Sequence, residues 1–346
     1  MHKSNELRSQ SHSRLGTALF VTEKYLTEGI FISDEMDIQS RIQASKHLED
    51  CENLIDGIEL WNTQDSEPSW GEFRSLFEEF AFQLLESDSL DLLIVKSDRT
   101  SVIPLAFNGH GFAVIHLSRN QIEDPQYWCQ CTHEISHLNQ DLERVKFCPH
   151  LHVPVNERYQ KATKIWSGDI ESGKAWFTEV LADLWSSQTV GGGYFLGFRN
   201  YRETMEVMSP TVGARSHPPS DLRITLMGRF LTTLGYSTDV IPEYTSLNSL
   251  LPILTMDDSE YGGELNGLTE IFDPIFIEEV ERISKQYLES CPDNTSIIKE
   301  NLKELHTSST LRKDDLVTDV GVLAMYCYMR NDSVTQYIDE LKEEYT

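Results

Sequence analysis

Residues 131–139 read CTHEISHLN, with His133 and His137 four apart and Glu134 directly after the first. On a helix, residues i and i+4 share one face, one turn apart. Two imidazoles so placed can offer nitrogen to one tetrahedral zinc ion. A glutamate about 100° further round cannot join them, but it reaches a water on the metal. The pattern therefore predicts part of a catalytic zinc site with Glu134 as its base. A chain with 11 histidines can also meet H-E-x-x-H by chance. The motif alone does not decide, and it asks for a third ligand and for elements able to carry all three.

The first element is readable. EDPQYWCQCTHEISHLNQDLERV has Asp124 as a helix N-cap and Pro125 at the first helical position. Trp128, Cys131, Ile135, Leu138 and Leu142 recur at spacings of three and four and form an apolar stripe. His133 and His137 fall roughly opposite, beside Gln130, whereas a core histidine sits in or next to such a stripe.

A second helix is predicted over ESGKAWFTEVLADLWSSQTVGGG. Its apolar stripe is Phe177, Val180, Leu181 and Leu184, and its other face carries Glu179, Ala182, Asp183 and Ser186. Glu179 as third ligand, with Asp183 accepting the other ring N–H of a ligand histidine, is one reading. A solvated acidic face is the other. In a third segment, GARSHPPSDLRITLMGRFL, His217 precedes two prolines that stiffen the approach to a helix starting near Ser220 and carrying Arg223. A histidine or arginine held near the metal suits an oxyanion; a surface histidine before a Pro-rich helix start is the plainer reading.

Taken in order, HEISH (133–137), EVLAD (179–183) and SHPPSDLR (216–223) resemble the gluzincin zinc metallopeptidases of the HtpX heat-shock and CAAX prenyl protease type. The resemblance covers residues 110–236, a minority of the chain. It implies a zincin-like core, zinc bound by His133, His137 and Glu179, Glu134 as general base, and His217 and Arg223 near substrate or supporting the site. That family is membrane-embedded, whereas no apolar run here approaches the roughly 18 residues needed to cross a bilayer. Ser136 stands where glycine is often found. The expectation is thus a soluble, zinc-dependent metallopeptidase acting on a peptide or protein substrate. The alternative is a zincin-like sensor or interaction module whose metal is structural or lost.

Composition narrows the setting. A net charge of −27 spread along 346 residues repels phosphate backbones and anionic lipid, so neither nucleic acid nor a membrane surface is expected as partner. Six cysteines in so long a chain make no disulfide framework, which points to the cytoplasm. CQC (129–131) and CPHLH (148–152) raise a rival metal site from Cys129, Cys131, Cys148, His150 and His152. Neighbours two apart on a helix face different ways, however, and Cys131 belongs to the apolar stripe. Nucleophile elbows, P-loops and G-x-G-x-x-G turns are absent from the sequence.

The predicted fold is α+β and mostly helical, with a small sheet and two active-site helices. LDLLIVKS, SVIPLAF and GFAVIHLS read as three strands of a meander. The last of them suits either a sheet edge that binds extended substrate or an interior strand, with His116 packed or at the surface. VGGGYFLGF (190–198) is expected to end the Glu179 helix. Texture divides the chain into an N-terminal helical region at 1–88, a metallopeptidase core at 89–240 and a C-terminal helical region at 241–346.

Overall fold

The computed structural model describes residues 55–64, 68–85, 90–98, 101–107, 110–118, 124–146, 170–199, 220–236, 293–330 and 334–345, with Gly16, Glu52, Ile122, Leu288, Glu289 and Cys291 besides. Apart from Gly16, the expected N-terminal helical region before residue 52 lies outside the described residues, as do His217 and the CPHLH run. The chain divides into two compact units, one of residues 1–123 with 338–346, the other of residues 124–337. The compositional limits at 88/89 and 240/241 differ from this division. Texture changes where the strands begin, yet the helices just before them cover the sheet.

In the first unit, helix α1 (55–64) and helix α2 (Pro68–Leu84) precede strands β1 (Leu90–Ser97), β2 (Ser101–Phe107) and β3 (His110–Ser118). The sheet order is β1-β3-β2. β2 and β3 pair antiparallel, from Ser101 opposite His116 to Phe107 opposite His110, and β1 runs parallel to β3. The expected meander is therefore corrected: β1 lies beside β3, not β2. Leu92 to Val95 and Ala113 to Ile115 are consecutive buried residues. Strands buried on both faces read as continuous apolar runs, and these two pair together.

β3 accordingly has neighbours on both sides and no free edge for an extended substrate; His116 is buried within it. Ile58 and Trp61 of α1 pack on Leu93, Val95 and Val114. At the outer side of β1, the Gln64 amide donates to the Lys96 carbonyl at 2.5 Å and accepts from the Lys96 N–H at 2.8 Å, continuing the ladder for one residue.

In the second unit, helix α3 (Pro125–Lys146) packs against α4 (Ile170–Thr189) and against α8 (Leu316–Arg330). Between them in sequence come α5 (192–199), α6 (Ser220–Thr233), which packs on α4, and α7 (Thr295–Ser308), which packs on α8. α3 starts as its sequence dictates. The Asp124 carboxylate accepts from the Gln126 N–H at 2.9 Å, its carbonyl accepts from Tyr127 and Trp128, and Pro125 has no N–H to satisfy. Trp128, Cys131, Ile135 and Leu138 are buried as the stripe requires.

The other side of α3 is enclosed too, by α4, so that Thr132, His133 and Ser136 are also buried. Among the described residues, no helix is long and apolar enough to cross a membrane.

Candidate metal centre

One turn of α3 brings the rings of His133 and His137 to 4.7 Å between centroids with their planes at 87°. α4 delivers Glu179 to the same point. His133 Nε2 lies 3.1 Å from Glu179 Oε2, His137 Nε2 lies 3.2 Å from Glu179 Oε1, and the two Nε2 atoms are 3.1 Å apart. Ligands at zinc-like bond lengths of about 2.05 Å on a tetrahedron are separated by about 3.3 Å. The three donor groups are thus spaced as the corners of a coordination polyhedron, and His133, His137 and Glu179 can hold a metal ion. Among the described residues no other cluster of histidine, cysteine, aspartate and glutamate does so.

The face of α4 that carries Glu179 is not solvated. Glu179 is 9% exposed and Asp183 only 1%, with Ala182 and Ser186 fully buried between α4 and its neighbours. Buried carboxylates need partners, and Asp183 has three. Arg223 donates from Nε to Oδ2 and from Nη2 to Oδ1, both at 2.7 Å. His133 Nδ1 lies 3.0 Å from Oδ1. The Tyr194 hydroxyl donates to the same oxygen at 2.5 Å. Arg223 also reaches Glu179 with Nη1 at 3.5 Å and lies over the Phe198 ring at 4.5 Å.

Charge in this network follows from those contacts. Burial pulls the His133 imidazolium down, but the carboxylates of Asp183 and Glu179 outweigh it and push the pKa to about 9. Burial raises Glu179; the two histidines more than reverse this and hold it well below the usual carboxylate range. Asp183, despite burial, is lowered to about 2, chiefly by Arg223. Arg223 itself is held charged by Asp183 against the cost of burial. Burial and then the Asp183 charge push the Tyr194 phenol well above its ordinary value, so it keeps its proton.

Tyr194 is the residue that sequence reasoning missed. The glycine run does end α4, at Thr189, and Gly191 takes φ +63°, where only glycine is comfortable. The chain then turns into α5 and comes back over α3. At Gly197 an added Cβ would stand 2.6 Å from the Gln126 carbonyl, and the Gly197 carbonyl accepts from the Gln130 amide at 2.7 Å. That return lays the Tyr194 ring on His133, with centroids 6.1 Å apart and planes within 4°. An aromatic directly after three glycines was the only signal available.

Of the remaining predicted site residues, Glu134 follows the first ligand on α3 and is half-buried, and Arg223 joins the site from the first turn of α6. His217 lies outside the described residues, as do Cys148, His150 and His152 of the rival site. Cys129 and Cys131 are both fully buried, and burial holds each thiol well above its ordinary pKa. Cys129 Sγ faces the Val320 carbonyl of α8 at 4.0 Å. Comparison with protein-family models, with curated proteins and with solved structures gives no match to this chain.

Proposed function

We propose that this chain is a zinc-dependent metallopeptidase with a zincin-like core around α3 and α4. The observation that carries the reading is the meeting of His133, His137 and Glu179 at 3.1–3.2 Å, with Glu134 one residue beyond the first ligand. Two imidazoles and a carboxylate form the donor set of catalytic zinc sites that keep a fourth position open, whereas structural sites are closed by four protein ligands. A zinc ion held there would lower the pKa of a water molecule and polarise a scissile carbonyl.

The chain's own residues divide the remaining work. Glu134 takes the proton of the attacking water and passes it to the leaving amine. Asp183 orients the His133 ring. Two of the three Arg223 nitrogens are engaged by Asp183 and the third approaches Glu179. We therefore assign Arg223 to holding these carboxylates in place and leave the charge developing on the carbonyl oxygen to His217.

The test is Glu134→Gln, assayed on a peptide library beside the unaltered protein, with zinc content measured on both. Hydrolysis should fall by about 10²–10⁴-fold, the usual contribution of a positioned acid–base group, with zinc still bound. Cleavage that persists in the variant removes the mechanism.

A further inference from the structure

The geometry points to Tyr194 as the positioning residue that fixes the His133 ring for metal binding, a role that rests on the metal centre proposed above. One triangle of atoms decides where the hydrogens lie. His133 Nδ1 and Asp183 Oδ1 are 3.0 Å apart, the Tyr194 oxygen is 3.1 Å from Nδ1, and the same oxygen is 2.5 Å from Oδ1. Asp183, doubly bonded by Arg223, is a carboxylate and only accepts. The single hydroxyl hydrogen of Tyr194 therefore goes to Asp183, and its oxygen turns a lone pair toward Nδ1. Both neighbours of Nδ1 are then acceptors, and a hydrogen on Nδ1 is the arrangement that satisfies them.

That choice leaves Nε2 as the nitrogen with a free lone pair in the neutral ring, and Nε2 is the atom facing Glu179 and His137. Asp183 alone would accept from Nδ1 with the ring free to rock about one contact. The Tyr194 oxygen adds a second acceptor, and its ring, stacked parallel to the imidazole, closes one side. Outer partners of this kind set tautomer and orientation in metal-bound histidines, and their loss typically weakens metal binding 10–100-fold.

Tyr194→Phe keeps the stacked ring and removes only the hydroxyl. Zinc affinity, read by competition with a chelator and without any turnover, should weaken by about tenfold or more. Long-range ¹H–¹⁵N spectra of the zinc-loaded proteins give a readout that packing alone would not move. In the unaltered protein, His133 should bind through Nε2 with a slowly exchanging hydrogen on Nδ1. In the variant that hydrogen should exchange faster while the His137 signals stay in place.

Unchanged affinity in a folded variant overturns the inference. So does ligation through Nδ1 in the unaltered protein, a measurement that still decides if the variant fails to fold. A protein that binds zinc in this way but cleaves no peptide would sink the peptidase reading and leave Tyr194 in its role. Intact cleavage with wild-type zinc affinity in Tyr194→Phe would do the reverse.

Discussion

At the scale of single residues, the site is a closed network of charges. His133 stands between two carboxylates that hold its pKa near 9, so at neutral pH the ring carries a second proton. An imidazole must be neutral to bind a metal, and binding there has to displace that proton. The sign follows: below about pH 9 each unit of rising pH should strengthen zinc binding by about tenfold, and above it the gain should level off. Chelator competition between about pH 7 and 8, corrected for the chelator's own protonation, should still show the rise. An affinity already flat there would mean an unperturbed His133, whose ordinary value of 6.5 lies below that window. The pairing of His133 with His137 was readable from sequence because i, i+4 spacing is a local property of one helix. The burial of Glu179 and Asp183 was not, because an acidic face in an acidic chain looks the same whether water or Arg223 lies opposite it.

At the scale of elements, the centre is made where α3 and α4 pack, and the smaller α5 closes it from behind. What lets α5 come so near is glycine. A methyl group at Gly197 would meet the Gln126 carbonyl, a backbone atom, at 2.6 Å, and such an overlap is relieved only by moving one helix. Gly197→Ala should therefore destabilise the fold by about 1–3 kcal/mol, the usual cost of overpacking. It should also weaken zinc binding, because α5 carries Tyr194. Denaturant unfolding and chelator competition check both, and a variant unchanged in each would show that the approach of α5 is not tight. The three strands were visible as apolar runs, yet their order was not. Which strand takes the centre depends on what covers both faces of the sheet, and helices α1 and α2 supply cover that a run of apolar letters does not reveal.

At the scale of the whole molecule, the question is why an ion should choose this one place. The chain carries 56 acidic residues, 11 histidines and six cysteines, so it offers many weak sites for a divalent cation. Exposed carboxylates bind such ions loosely. An ion taken up by the proposed cluster of two imidazoles and one carboxylate, held by Asp183, Tyr194 and Arg223, would bind without having to order its ligands first. The cysteines are the competitors that matter, since thiolates are strong zinc ligands, and Cys129 is one turn away from His133 on the same helix. Zinc-edge X-ray absorption on the full chain loaded with one equivalent of zinc separates the two possibilities. The expected result is a first shell of nitrogen and oxygen alone at about 2.0–2.1 Å, with the scattering pattern of two imidazoles. A sulfur shell at about 2.3 Å, or the absence of imidazole, would contradict it.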